Sequence, residues 1–271
     1  MSIEASDPLI LETLKRYAAR HTLPLQRFLE DGRVSHQGTA TLLGIEDRTF
    51  LISAAHVFDG VPLDEFVVPP SPSGGQAVAL SFELYRPKEE EKYDVAALEL
   101  TDADAAARLK SGWSSLSLDS ISRPSAAFGG MFAVCGYPET GVRVKEQGVA
   151  CSLIAAFTER MRETPTNTKF AVDPGVDIFF HYDPEATDTA GETVRTPQLY
   201  GVSGASVWEY HHGVEGAWDA SKALRVIGVQ ASFREGQWFR ATTWNVVLAM
   251  LRMVDAELEA ATADTIERLS R

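Results

Sequence analysis

The feature that most limits the fold is the stretch from Ser35 to about Gly236, where short runs rich in Val, Ile, Leu, Phe and Thr alternate with clusters of Gly, Pro, Asp and Asn. GTATLLGI, RTFLISAA, AVALSFELY, VAALEL, MFAVCGY, VDIFFHY, ASVWEY and LRVIGVQAS are each of strand length and are separated by turn-forming residues. Many short strands in sequence predict antiparallel sheets folded into sandwiches or barrels. Residues 115 to 130, with Pro124 and the adjacent Gly129 and Gly130, read as a linker between two halves of that region.

The two ends follow a different rhythm. Asp7 followed by Pro8 is a helix start, and Ile10, Leu14, Tyr17 and Ala18 then share one face of a short amphipathic helix that ends before Pro24. Trp244, Val247, Leu248, Leu251, Val254, Leu258 and Leu269 recur at helical spacing, predicting one long C-terminal helix capped by Thr242 or Thr243. The expected division is a helical extension over 1–32, a first β unit over 33–120, a second over 121–241 and a helix over 242–271. The segment 184–197 reads as a polar loop, and the charge run 88–92 as a solvated hairpin tip.

With 271 residues and 45% hydrophobic content, the chain has ample material for a buried core. Its net charge of -13 argues against nucleic acid, whose affinity rests on Lys and Arg neutralising phosphates. The start carries no basic leader, its apolar run stops at Glu12, and no stretch reaches membrane-spanning length, so no membrane is expected and a cytoplasmic location is. In that reducing setting Cys135 and Cys151 are expected as free thiols. No cofactor and no metal are expected. The cysteines form no ligand cluster, and His211 and His212 are adjacent on a hairpin, where successive side chains face opposite ways.

In QLYGVSGASVW, Ser203 stands between two glycines before an apolar run. A serine hydroxyl is a weak nucleophile until an imidazole takes its proton and a carboxylate holds that imidazole in the right tautomer. His56 in TFLISAAHVFDG, at the end of an apolar strand, and Asp94 in EKYDVAALEL, at the start of another, supply these types. SAAHV, DVAALEL and GVSGAS resemble the histidine, aspartate and Gly-x-Ser-Gly motifs of the chymotrypsin-like (trypsin-like) serine peptidases. They fall in that family's chain order, 38 and then 109 residues apart. The resemblance covers roughly residues 33 to 250, with GTATLLG, AVCGYP and RVIGVQAS as further matches.

That resemblance implies a mainly β fold of two antiparallel, six-stranded-type β-barrels with the cleft between them. His56 becomes general base, Asp94 its orienting carboxylate and Ser203 the nucleophile. The N–H groups of Gly201 and Ser203 become the oxyanion hole, and Ser53 supports the aspartate by hydrogen bonding. Pro197 comes to the base of the primary pocket, and Gln230, Ala231 and Ser232 to the strand that pairs with substrate.

The chain departs from the secreted pattern at Val202, where zymogens carry an aspartate, so no activation by N-terminal cleavage is implied; members without that aspartate resemble bacterial ones. At Ala231 the family often has serine or threonine. With Thr196, Pro197 and Gln198 lining the pocket, a neutral, small or apolar residue is expected before the cleaved bond, and Glu235 has no assigned place. The expected partners are a polypeptide substrate and a regulatory protein. A catalytically latent or inactive binding module on the same fold is the alternative reading. The nucleophile elbow of α/β-hydrolases fits poorly, since Ala205 replaces its second glycine and no acid-then-histidine order follows.

Overall fold

The computed structural model describes residues 8–29, 33–88, 92–125, 130–145, 148–188, 192–211 and 220–270. A helix, α1 (Pro8–Ala19), leads into β1 (Thr22–Phe28), β2 (Val34–Ile45), β3 (Arg48–Ser53), β4 (Phe66–Val68), β5 (Val78–Ala79), β6 (Phe82–Tyr85) and β7 (Ala96–Leu100). These strands form one sheet in the order β5-β4-β1-β2-β3-β7-β6, with antiparallel neighbours. β5 and β6 are the two edges yet follow each other in the chain, so the backbone itself closes the sheet into a barrel. Helix α2 (Ala103–Gly112), capped by the Asp102 carboxylate on the Asp104 and Ala105 N–H groups, follows β7.

The second half contains β8 (Met131–Gly136), β9 (Val142–Lys145), β10 (Gly148–Cys151), β11 (Ile154–Thr158), β12 (Asp177–His181), β13 (Glu185–Thr187), β14 (Thr193–Arg195), β15 (Ser206–Tyr210), β16 (Leu224–Arg234) and β17 (Trp238–Thr243). Six of them form an antiparallel sheet in the order β11-β8-β15-β16-β17-β12. A bridge between Arg160 and Phe180, with Met161 N–H on the Phe179 carbonyl at 2.8 Å, joins its two edges. The architecture is mainly β, two curled antiparallel sheets with few helices, as a two-barrel chymotrypsin-like fold requires.

Period-2 alternation sorts the side chains into three cores. Leu42 and Leu51 point into the first barrel, while their neighbours Leu43, Phe50 and Ile52 point out of it. On β8, Phe132 and Val134 fill the second barrel and Met131, Ala133 and Cys135 face outward. The outward sets meet each other and the helices, so Trp208, Val226, Trp244 and Leu251 weld the barrels together. The linker threads through that seam, with bridges from Leu116 to Leu43 and from Ile121 to Val226.

Several expectations are corrected here. The N-terminal extension is not wholly helical, because Thr22–Phe28 is a strand that pairs with β2 and β4; Pro24 sits in it at a fully buried position. The C-terminal helix is two helices, α4 (Trp244–Leu251) and α5 (Ala256–Ser270); the short α3 (Ala220–Ala223) precedes β16. Asp255 makes the break by accepting the Leu258 N–H at 2.9 Å, so a new helix starts there. Thr243 is the residue before α4, but its side chain makes no capping bond. Residues 184–197 include the paired strands β13 and β14. Asp7, His212 and the tip residues 89–91 lie outside the described residues. Cys135 and Cys151 are free, and no helix among the described residues is long and apolar enough to cross a membrane.

Candidate active site

β3 ends at Ser53, and His56 stands three residues on, in a 3-10 turn over Ala55–Phe58. Asp94 lies just before β7, which pairs with β3, so the ladder brings the two side chains together. His56 Nδ1 is 2.6 Å from Asp94 Oδ2, and the His56 backbone N–H donates to Asp94 Oδ1 at 3.0 Å. One carboxylate therefore fixes both the ring and the turn that carries it. The Asp94 hydrogen bond raises the imidazole above its ordinary 6.5, against burial, which lowers it. Burial pushes the Asp94 carboxyl up, but its bonds and charge interaction with His56, together with Arg240, hold it below the ordinary value.

Ser203 belongs to a tight loop between Leu199 and Ala205. Val202 N–H donates to the Leu199 carbonyl and Ala205 N–H to the Val202 carbonyl, both at 2.9 Å, while Gly201 and Gly204 have φ of +85° and +89°. Val202 is fully buried in the second barrel's core, anchoring the loop by packing. The Ser203 carbonyl accepts the Thr39 N–H from β2 at 2.8 Å. A Cβ on Gly38 would lie 2.8 Å from a Val57 methyl and 3.1 Å from the Ser203 carbonyl oxygen. A Cβ on Gly204 would strike Ser53 Oγ, the Thr39 carbonyl and Ala54 N. The serine loop is thus pressed against residues 53–57, the segment that carries His56.

Both carbonyls flanking Gly201 are held by the protein body. The Tyr200 carbonyl accepts the Glu139 N–H at 2.8 Å; the Gly201 carbonyl accepts His36 Nε2 and Thr39 Oγ1, each at 3.0 Å. His36 Nε2 also donates to the Tyr137 carbonyl at 2.7 Å. With two carbonyl partners on one nitrogen, that nitrogen carries the proton, and burial keeps the ring's pKa below the ordinary value. A trans peptide directs its N–H opposite its C=O, so the Gly201 N–H points away from Glu139. Among the described residues neither the Gly201 nor the Ser203 N–H donates to a protein acceptor.

The remaining expected residues are placed differently. Ser53 Oγ donates to the Thr39 carbonyl at 2.7 Å, because the serine lies under the Gly204 turn; it supports that loop instead of Asp94. Gln230 is fully buried, and its backbone is engaged by the serine loop, its N–H on the Ala205 carbonyl at 2.7 Å and its carbonyl under the Gly204 N–H at 2.8 Å. It holds the nucleophile loop and has no backbone group left for a substrate. Ala231, also buried, sits at the bulge between Gln230 and Ser232, and Ser232 is half-buried. Pro197 lines a cavity of about 210 Å³ with Tyr182, Gln198, Phe233 and Glu235. Glu235 therefore supplies a carboxylate to that wall, where Arg195 (3.5 Å) and Gln198 (3.2 Å) already meet it.

Sequence reasoning missed His36, Glu139 and Arg240. None has a distinctive local motif, since each acts on a residue more than sixty positions away in the chain. The two free thiols are not competing nucleophiles, because burial raises Cys135 to about 12 and Cys151 to about 11. Among the described residues no three His, Cys, Asp or Glu side chains gather as a metal site would need.

No family model and no curated protein matches the sequence. Solved structures similar to the chain include one from work on the coupled folding and binding of the intrinsically disordered Sesbania mosaic virus VPg protein, at 13% identity over 86% of this chain and 91% of that one, with a TM-score of 0.47. Another is the Vibrio cholerae VesB protease, at 13% identity over 83% of this chain and 60% of that one, with a TM-score of 0.48.

Proposed function

We propose that this chain is a serine endopeptidase in which Ser203 attacks the peptide carbonyl, His56 takes and later returns the proton, and Asp94 orients the imidazole. The observation that carries the reading is the His56–Asp94 contact of 2.6 Å beside a serine loop whose Gly201 and Ser203 N–H groups have no protein acceptor. Two unpaired, convergent N–H donors next to a nucleophile suit a developing oxyanion. Attack forms the bond from Ser203 Oγ to the carbonyl carbon, and the serine proton passes to His56 Nε2. Collapse breaks the C–N bond as that proton leaves with the amine, and water reverses the sequence to free the acid.

The buried, apolar Val202 supports a loop that needs no newly cut N-terminus to form. With Glu235 already engaged by Arg195 and Gln198, the pocket favours a neutral residue before the cleaved bond. A peptide-library profile dominated by cleavage after Arg would refute that specificity.

The test is labelling by a fluorophosphonate, which reacts with activated serines. We expect labelling of the wild-type protein, its loss in Ser203→Ala and His56→Ala, and a rate that rises with pH through a midpoint above 6.5, where His56 becomes neutral. Full labelling of the Ser203→Ala protein would sink the assignment.

A further inference from the structure

Asp94 is 22% exposed, and among the described residues its hydrogen-bond donors both belong to His56. Ser53 gives its hydroxyl to Thr39, and Ala231 has none to give. A part-buried carboxylate with so few donors calls for a compensating charge. That charge comes from the other barrel. Arg240 on β17 is 6% exposed, its Nη1 3.4 Å from Asp177 Oδ1 and its guanidinium carbon 3.9 Å from the centre of the Phe170 ring. Its buried Nε has no hydrogen-bond partner among the described residues.

The cluster reaches Asp94's own backbone. Asp177 Oδ2 accepts the Asp173 N–H at 2.9 Å, and the Asp173 carboxylate meets Lys92 Nζ at 3.0 Å and Tyr93 Oη at 3.2 Å, the two residues before Asp94. We propose that Arg240 is a positioning residue for the His56–Asp94 pair, a buried cation lent by the second barrel that holds Asp94 in its ionised, ring-orienting form. The assignment rests on the peptidase reading for its catalytic meaning, and the test separates the two.

The charges around the pair fix the signs. His56 faces Asp94, Asp59 and Arg240, with Asp59 itself 3.0 Å from Arg86. Arg240 faces Asp177 and Asp94, and Asp177 faces Asp173 and Lys92 as well. The cation opposes protonation of His56, so its removal favours the imidazolium. Removing Asp177 leaves the cation less neutralised and does the reverse.

The full chain is used for the experiment. NMR titration of the His56 ring, identified by its loss in His56→Gln, is compared in wild type, Arg240→Met, Asp177→Asn and the double variant. The His56 midpoint should rise by on the order of 1 pH unit in Arg240→Met and fall in Asp177→Asn. It should rise in the double variant too, which removes the pair without stranding Asp177 and so answers even if Arg240→Met fails to fold. An unmoved midpoint in the folded double variant, or shifts of one sign in both single variants, overturns the proposal.

The fluorophosphonate rate should follow the same midpoints. Opposite NMR shifts in a wild-type protein that does not label would sink the peptidase reading and leave the charge assignment standing. Labelling with unmoved midpoints would sink the Arg240 assignment alone.

Discussion

Gly204 meets two demands at once, a φ of +89° and an approach so close that a Cβ would strike Ser53 Oγ and the Thr39 carbonyl. Either alone disfavours a side chain, and together they leave no rotamer or small shift as relief. Gly204→Ala should therefore destabilise the protein by about 3 kcal/mol or more, read from denaturant unfolding, and slow Ser203 labelling even where the variant remains folded. Unchanged stability would mean that the loop is not packed on Ser53 and Thr39. This glycine was legible in the sequence because its requirement is local: a tight turn that presents a serine needs small neighbours, and GVSGAS writes that out. His36 was not legible, because its task of holding the Gly201 carbonyl depends on 165 residues of intervening chain returning to β2.

Among the elements, the strands were easier to read than the helices' ends. Alternation at Leu42 and Leu43 or at Phe132 and Ala133 assigns faces directly, whereas the break between α4 and α5 depends on a tertiary partner. Arg48 on β3 grips Glu99 on β7 through Nε and Nη2, both at 2.6 Å, and reaches Asp255 through Nη1 at 2.6 Å. Asp255 in turn starts α5 by accepting the Leu258 N–H. The pair on β3 and β7 is bidentate and mostly buried, which lifts it above an ordinary surface ion pair, while the exposed Asp255 contact is screened. Arg48→Met should lower Tm by roughly 2–4 °C, and hydrogen exchange should rise in residues 256–270 ahead of residues 244–251. Equal protection of both helices in the variant would show that α5 holds its place without Arg48.

At the scale of the whole molecule, one histidine touches every part of the seam. His21 follows α1, packs its ring 4.8 Å from Tyr17 and 6.1 Å from Trp208 of the second barrel, and meets the Ser114 carbonyl of the linker through Nδ1 at 2.7 Å. Burial, outweighing the Ser114 bond, lowers its pKa to about 4. In the unfolded chain the ring takes its proton near 6.5. The unfolded state therefore binds more protons between those values, so the stability from a neutral His21 is complete above pH 6.5 and is lost as pH falls towards 4. The loss amounts to about 3 kcal/mol at most. His36, also lowered by burial, acts in the same sense. Asp94, Asp173 and Asp255, held below 3.8, act at lower pH. Asp177 and His56, both raised, act in the opposite sense. His21→Phe keeps the aromatic packing but leaves the Ser114 carbonyl without its donor, at a cost of about 1–2 kcal/mol at neutral pH. Thermal unfolding followed from pH 7 to pH 4 should then show a shallower decline than wild type, so the two stability curves converge as the pH falls. Parallel curves would mean that the barrels' acid sensitivity originates elsewhere and that the seam tolerates a charged His21.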